Sequence, residues 1–272
     1  MKITIIGGGN MGQAIARALK ENLEVKSAEV MVSDVNPNKL ENLKDLEVKL
    51  TDKNPEAVDG ANVVILAVKP QHLNDLLDEI KPHISENQII MSIAAGVKMG
   101  KIKDKLEHKK IVRVMPNLPA QIGKAASVWM AEPAVSGNGK QVVRDLLKCF
   151  GKEYEVTLEE QIDVATALSG SGPAYVFRFI ECLANGAIFL GMPEELAVDL
   201  AMQTVYGSVK YAQNSKLTSQ EELQVLQHKV ASKGGTTEAA LDYLDEVDFE
   251  KDLTYAVKKA YKKAKELAKD QD

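Results

Sequence analysis

The chain reads as an α/β protein in two parts, a mostly parallel, doubly wound sheet followed by an all-helical segment. Three observations predict it. Short apolar runs alternate with helical spacing from the N-terminus to about residue 156. The first run, Lys2-Ile3-Thr4-Ile5-Ile6, feeds into Gly7-Gly8-Gly9-Asn10-Met11-Gly12, a G-x-G-x-x-G turn that opens a helix through Gln13 to Leu19. From about Leu158 the strand-length runs stop, and long helical periodicity with few turn signals takes over.

In the opening turn, Gly7 supplies a bend that other residues cannot make. Gly9 lets the backbone approach a pyrophosphate, and Gly12 lets the helix lie close on the strand. The helix N-terminus then offers free N–H groups to phosphates. Glycines cluster in many turns, so the motif counts because of its context. It lies between a strand and a helix, and Asp34 stands 22 residues after Gly12 at the end of a second apolar run, Glu29 to Ser33. The combination predicts a Rossmann-type dinucleotide-binding domain.

Asn36-Pro37 then forms a turn and helix start. Asn62 to Val68 is a continuous apolar run of the kind a central parallel strand shows, and Lys69-Pro70 stops it. Helical spacing through Leu73, Leu76, Leu77 and Ile80 precedes a strand at Gln88 to Ile93 and the small-residue turn Ala94-Ala95-Gly96. Next come a strand at Ile111 to Met115, the turn Pro116-Asn117-Leu118-Pro119, a strand near Ser127 to Met130, a helix near Gln141 to Phe150 and a last strand near Glu153 to Val156. In the second part a helix is expected from Leu158 to about Leu168, broken by Ser169-Gly170-Ser171-Gly172. A long helix restarts at Pro173, with Ser171 or Gly172 as its cap, and ends at Gly191. Pro193-Glu194-Glu195 opens a third, and Asp248 to Lys269 forms a final amphipathic one. The expected division is a dinucleotide-binding domain at 1–157 and a helical domain at 158–272, without a flexible linker, so that the two pack closely.

Composition narrows the partners. At 272 residues and 45% hydrophobic content the chain can bury two cores of ordinary size. A formal charge of −5 with interspersed signs argues against nucleic acid, and the lysines from Lys258 to Lys265 have the spacing of a solvated helix face. No run is apolar enough to span a bilayer, since Tyr175 to Met192 is interrupted by Arg178 and Glu181, and the first residues form no signal peptide. Cys149 and Cys182 are too few for a disulfide framework, which fits a reducing, cytoplasmic location; both read as small core residues. His72, His83, His108 and His228 have no metal-ligand spacing and read as surface residues, with only His228 near a candidate site.

Ligands of an open α/β sheet lie across the C-terminal strand ends. The turns there, Gly7 to Gly12, Asp34 to Asn36, Ala67 to Pro70, Ala94 to Gly96 and Pro116-Asn117, are small or polar, as a flat cofactor requires. Asp34 accepts hydrogen bonds from ribose hydroxyls and would repel a 2′-phosphate. No Arg stands nearby, and Lys39 lies five positions on, so the chain leans toward NADH over NADPH. A second informative stretch runs from Lys229 to Leu241 and places Ser232, Gly234, Gly235, Thr236 and Thr237 directly before a helical pattern. N–H groups and hydroxyls at such a start suit a carboxylate or phosphate, and a Thr-x-x-Glu helix cap accounts for the residues equally well. No nucleophile constellation can be assembled, which favours chemistry carried by a cofactor.

The order Gly7 to Gly12, Ala67-Val68-Lys69-Pro70, Ala94-Ala95-Gly96, Leu168 to Tyr175 and Val230 to Thr237 resembles pyrroline-5-carboxylate reductase, from residue 2 to about 265. The last two motifs are specific to that family. The resemblance implies a helical C-terminal domain that interlocks with its twin into a homodimer, in some members assembled further into a ring of dimers. It implies hydride transfer from NAD(P)H to the C=N bond of 1-pyrroline-5-carboxylate, giving L-proline. By position, Ile6, Gly7, Gly8, Gly9, Asn10 and Met11 would hold the pyrophosphate, and Asp34 and Asn54 the adenosine ribose. Ala67, Val68, Lys69 and Pro70 with Ile93, Ala94 and Ala95 would take the nicotinamide side, with Asn117 near the nicotinamide. Ser232, Gly234, Gly235, Thr236 and Thr237 would clamp the substrate carboxylate, Thr237 orienting the ring nitrogen. The chain departs from the pattern at Lys233, where Pro is usual, at Lys229, where an amide is usual, and at Asp34-Val35, where many relatives carry Arg. Three alternatives are a reductase of another cyclic imine, a silent NAD(P)-sensing protein, and a 3-hydroxy-acid dehydrogenase. The intact loop disfavours the sensor; the dehydrogenase needs a catalytic Lys that the stretch from Leu158 to Gly191 lacks.

Overall fold

The computed structural model describes residues 1–21 and 28–269. Contacts divide the chain into one unit of Met1–Pro173 with Lys259–Asp272 and a second of Ala174–Lys258.

The first unit begins with β1 (Lys2–Ile6), α1 (Asn10–Glu21), β2 (Glu29–Ser33), α2 (Asn38–Glu41), β3 (Lys49–Thr51), α3 (Asn54–Val58), β4 (Val63–Leu66), α4 (Leu73–Ile80), β5 (Ile89–Ser92) and α5 (Met99–Leu106). It continues with β6 (Ile111–Met115), β7 (Ala125–Ala131), α6 (Gly137–Lys148), β8 (Gly151–Glu155) and α7 (Glu160–Ala165). The strands form one sheet in the order β3-β2-β1-β4-β5-β6-β7-β8. All neighbours are parallel except β6 and β7, which are antiparallel. The link from Pro116 to Lys124 holds only the 3₁₀ turn Leu118–Ile122, too short for the crossover that a parallel pair needs.

Strand β4 shows why the central run is apolar throughout. Val63 and Ile65 enter one core with Ile3, Ile5, Leu19 and Trp129, while Val64 and Leu66 enter another with Leu77, Ile80 and Ile90. The strands expected from the sequence lie where they were placed, within one or two residues at their ends. Helix α6 starts earlier than expected, at Gly137, because Ser136 Oγ caps it by accepting from Gly139 N at 3.1 Å.

Between the sheet and the long helices the expectation needs correction. Instead of ending at a Ser-Gly break, α7 passes into a π-helical turn, Thr166–Gly170, where Ser171 N donates to Thr166 O at 2.9 Å. The Ser171 hydroxyl also donates to Thr166 O, at 3.2 Å, so it closes the π turn and does not cap the next helix, α8 (Gly172–Phe189). Two other expectations fail. His108 is buried, bonded through Nε2 to Gln88 O at 2.8 Å, and Cys182 is exposed.

The second unit carries α9 (Glu194–Asn214), α10 (Gln220–Val230) and α11 (Thr236–Glu246), with most of α8 and the start of α12 (Phe249–Lys269). Its buried cluster is small, Ala184, Ala197 and Ala201 with a few partly buried neighbours. Large apolar side chains stay open, Phe189 at 90% and Leu190 at 84% exposure, with Phe177, Tyr206 and Val209 also exposed. Among the described residues no helix is long and apolar enough to cross a membrane.

Candidate functional site

The C-terminal ends of β1, β2, β4, β5 and β6 open onto a cleft of about 830 Å³. Ile6, Gly7, Gly9, Asn10 and Met11 line it from the glycine turn, Asp34 and Asn54 from the β2 side, Ala67, Val68, Lys69 and Pro70 from β4, and Ile93, Ala94 and Ala95 from β5. These sequence-expected residues, scattered over about ninety positions, therefore share one wall system.

The glycine turn has the shape of a phosphate cradle. Gly7 has φ +113°, and a Cβ there would stand 2.5 Å from Ala67 O. A Cβ on Gly12 would fall 1.9 Å from Gly7 O, so only glycine lets α1 descend onto the turn. A Cβ on Gly9 would meet nothing within 4 Å: there the missing side chain leaves open space at the cleft wall. The first turn of α1 holds no acidic residue, and its leading N–H groups have no helical carbonyl partner. Backbone, charge and space thus fit a dinucleotide pyrophosphate.

Gly8 is placed differently. It is absent from the cleft wall, and its amide donates to Asp34 Oδ2 at 2.8 Å. Asp34 Oδ1 accepts from Asn36 N at 2.9 Å, and Lys39 Nζ reaches both oxygens, at 3.1 and 3.3 Å. The Asp34 side chain is 5% exposed and that of Lys39 48%. Asn54 is buried; its Oδ1 accepts from Ser33 Oγ at 2.7 Å and its Nδ2 donates to Glu79 Oε2 at 2.8 Å. Asn117, expected near the nicotinamide, also lies off the wall, which its neighbours Met115 and Pro116 line. Its Oδ1 accepts from Ala126 N at 2.9 Å and its Nδ2 donates to Ser169 O at 3.0 Å, which ties the β6–β7 link to the π turn.

Several wall residues escaped the sequence reading. Asp75 and Glu79 of α4 line the cleft on the side of Asn54; Lys39, which reads from the sequence as a remote cation five positions on, lies against Asp34. A like-charge pair at i,i+4 destabilises an isolated helix, so Asp75 and Glu79 were the available signal. Deeper in the unit, the Arg113 guanidinium is 2% exposed and bonds Glu159 Oε1 at 3.0 Å and Asp163 Oδ1 at 2.6 Å. Glu159 Oε1 also accepts from Met99 N at 2.8 Å. This network fastens α7 to β6, the strand whose end supplies Met115.

In the second unit, Ser232, Lys233, Gly234 and Gly235 lie in the short link between α10 and α11, and Thr236 and Thr237 are the first two residues of α11. Gly234 has φ +72°, and a Cβ on Gly235 would stand 2.5 Å from Ser232 Oγ. The expected Thr-x-x-Glu cap does not form: the residue that caps α11 is Gly235, which has no side chain to accept a bond, its own amide donates to Ser232 O at 2.9 Å, and Glu238 Oε2 accepts instead from Gly234 N, one residue earlier, at 2.6 Å. The amides at the start of α11 have no helical carbonyl partner. Lys229 and Lys233 are exposed. Among the described residues no group of His, Cys, Asp and Glu is arranged to hold a metal ion.

Residues 159–267 match the family model for pyrroline-5-carboxylate reductase dimerisation, and residues 2–96 match that for NADP oxidoreductase, coenzyme F420-dependent. The chain is 34% identical over 263 residues to pyrroline-5-carboxylate reductase of Pisum sativum, covering 97% of this chain and 94% of the pea protein. It is 34% identical over 270 residues to that of Escherichia coli K12, covering 98% of each. A solved pyrroline-5-carboxylate reductase from Coxiella burnetii superposes with TM-score 0.89 at 34% identity, and that of Plasmodium falciparum, solved with NADP bound, with TM-score 0.85 at 29% identity; each comparison covers 98% of both chains.

Proposed function

Because the chain belongs to the pyrroline-5-carboxylate reductase family, we propose that it reduces 1-pyrroline-5-carboxylate to L-proline with NAD(P)H, the last step of proline biosynthesis. The observation that carries the cofactor half is the glycine cradle at the cleft, with Gly9 open and Gly12 under Gly7 O. A reduced nicotinamide bound there supplies the hydride that adds to the imine carbon, and a proton completes the amine.

The chain's own residues bind and orient. The turn from Ile6 to Met11 and the first turn of α1 hold the pyrophosphate by backbone N–H groups. Asp34 and Asn54 take the adenosine ribose. Ala67 to Pro70 and Ile93 to Ala95 give the nicotinamide a small-residue wall, and Asn117 keeps Met115 and Pro116 in place behind it. The Ser232–Thr237 turn holds the substrate carboxylate through amides and hydroxyls, and Thr237 orients the ring nitrogen. A protonated imine accepts hydride readily, so alignment is the main demand on the protein. No side chain is assigned as general acid.

Asp34 at the end of β2, with no Arg beside it, favours NADH over NADPH, because its carboxylate suits a ribose hydroxyl and repels a 2′-phosphate. The proposed division into a cofactor half at 1–157 and a substrate and dimerisation half at 158–272 follows the start of the helical segment, while α7, the π turn and the end of α12 group by contacts with the sheet. A homodimer is supported by the open apolar side chains of the second unit, of which Phe189 and Leu190 are the most exposed. Solution mass checks this: twice 29.7 kDa or a multiple is expected, and a monomer would contradict it. A ring of dimers and a cytoplasmic location are further parts of the proposal. The activity is tested by product analysis, in which incubation with the cyclic imine and NADH yields L-proline; an unchanged imine would overturn the reading.

A further inference from the structure

Asp34 has all its acceptor positions in use. A carboxylate offers about four lone-pair sites; Gly8 N and Asn36 N take one on each oxygen, and Lys39 Nζ lies against both oxygens. A ribose hydroxyl donating to Asp34 must therefore draw Lys39 away from at least one oxygen. The backbone of Lys39 is fixed, its N–H donating to Asn36 O at 3.0 Å and its carbonyl accepting from Gln13 Nε2 at 3.1 Å. Its ammonium is not, since the side chain is 48% exposed and lies on the cleft wall. The same wall carries the carboxylates of Asp75 and Glu79, and its other lysine, Lys69, follows β4, at a different strand end from Asp34.

We propose that Lys39 sets discrimination at the ribose 2′ position, resting on Asp34 in one state and swinging off it to pair with a 2′-phosphate in the other. The inference rests on the reading of the cleft as a nicotinamide dinucleotide site. With NADH the ammonium yields one oxygen of Asp34 to the hydroxyl. With NADPH it leaves Asp34 on its two amide bonds and neutralises a phosphate that would otherwise face carboxylates. Lys39 thus makes the phosphorylated cofactor tolerable, without a charge change at Asp34.

The test is displacement of bound NADH, followed by its fluorescence, with ADP-ribose and 2′-phospho-ADP-ribose as competitors. In Lys39→Met the affinity for the 2′-phosphate form should fall about tenfold or more while ADP-ribose stays within about twofold, since a charge-assisted contact is lost from one ligand only. Lys39→Arg should retain both. Lys39→Gln, which keeps a donor near Asp34, should behave as Lys39→Met does if charge is the cause. Equal weakening of both competitors in Lys39→Met would overturn the proposal and make Lys39 a prop for Asp34. Unchanged affinities would overturn it as well. If the unmodified protein binds neither NADH nor NADPH, the reading of the cleft falls, and the proposal with it.

Discussion

Arg113 Nη2 lies 2.6 Å from Asp163 Oδ1, with both side chains almost wholly buried. The pair joins β6 of the sheet to α7, fifty residues further along the chain. Removing one partner of a buried pair strands the other charge, which costs about 3–5 kcal/mol. Asp163→Ala is therefore expected to lower unfolding stability by about that amount, measured by urea denaturation, whereas the double variant Arg113→Met with Asp163→Leu should recover much of it. A single variant as stable as the parent would show that Glu159 alone satisfies Arg113.

Two glycines of the opening turn should fail in different ways. Gly12→Ala drives a methyl into Gly7 O and should lower both thermal stability and NADH affinity. Gly9→Ala meets no neighbour, so its unfolding temperature should hold while NADH binding, read by nucleotide fluorescence, falls about tenfold or more as the methyl fills the cleft wall. Equal NADH affinity in Gly9→Ala and the parent would place the pyrophosphate elsewhere.

Thr237 stands in the first turn of α11, in the loop assigned to the substrate carboxylate. Thr237→Ala should lower kcat/KM for the imine about tenfold, the weight of one neutral hydrogen bond to a reacting ligand, and leave the NADH dissociation constant unchanged. Steady-state kinetics paired with a cofactor titration separates the two. Unchanged kinetics would remove Thr237 from the site.

His108 is buried, and its pKa is pushed below the usual 6.5 chiefly by loss of solvation, against which its bond to Gln88 O acts. The unfolded chain therefore binds this proton more readily than the folded one. Stability from this group is complete above about pH 6.5 and is lost as pH falls toward the depressed folded value. Unfolding midpoints measured at pH 7 and pH 5, on either side of the usual His value, should decline less steeply in His108→Gln than in the parent. Equal slopes would assign the decline to other groups.

Much of this was legible in the chain. β4 reads directly because a strand buried on both faces is apolar throughout, and β1, β2, β5 and β6 read because mainly apolar runs survive an occasional polar residue inside or at an end, such as Thr4, Ser92 or Arg113; the glycine spacing marks the cleft in the sequence alone. β3 was missed because it is three residues long and edges the sheet with only partial burial. α5 was missed because Met99, Ile102 and Leu106 are its only buried residues among four lysines in and beside it, Lys98, Lys101, Lys103 and Lys105. The π turn is written in hydroxyl-to-carbonyl bonds that compete with a helix cap, and the residues Ser169-Gly170-Ser171 suit either. Lys39 read as remote because five positions and a proline turn separate it from Asp34. The fold of α2 returns it. The buried role of Arg113 has no local signal, since its two acidic partners lie on a different element.

The central claim is a nicotinamide-dependent reduction of 1-pyrroline-5-carboxylate. Its most direct measurement is the initial rate of imine-dependent cofactor oxidation, with NADH and NADPH compared at matched concentrations. Oxidation that depends on the imine, forms L-proline and has the higher kcat/KM with NADH is expected. No imine-dependent oxidation of either cofactor by the folded protein would contradict the account, and a clear preference for NADPH would contradict the part assigned to Asp34.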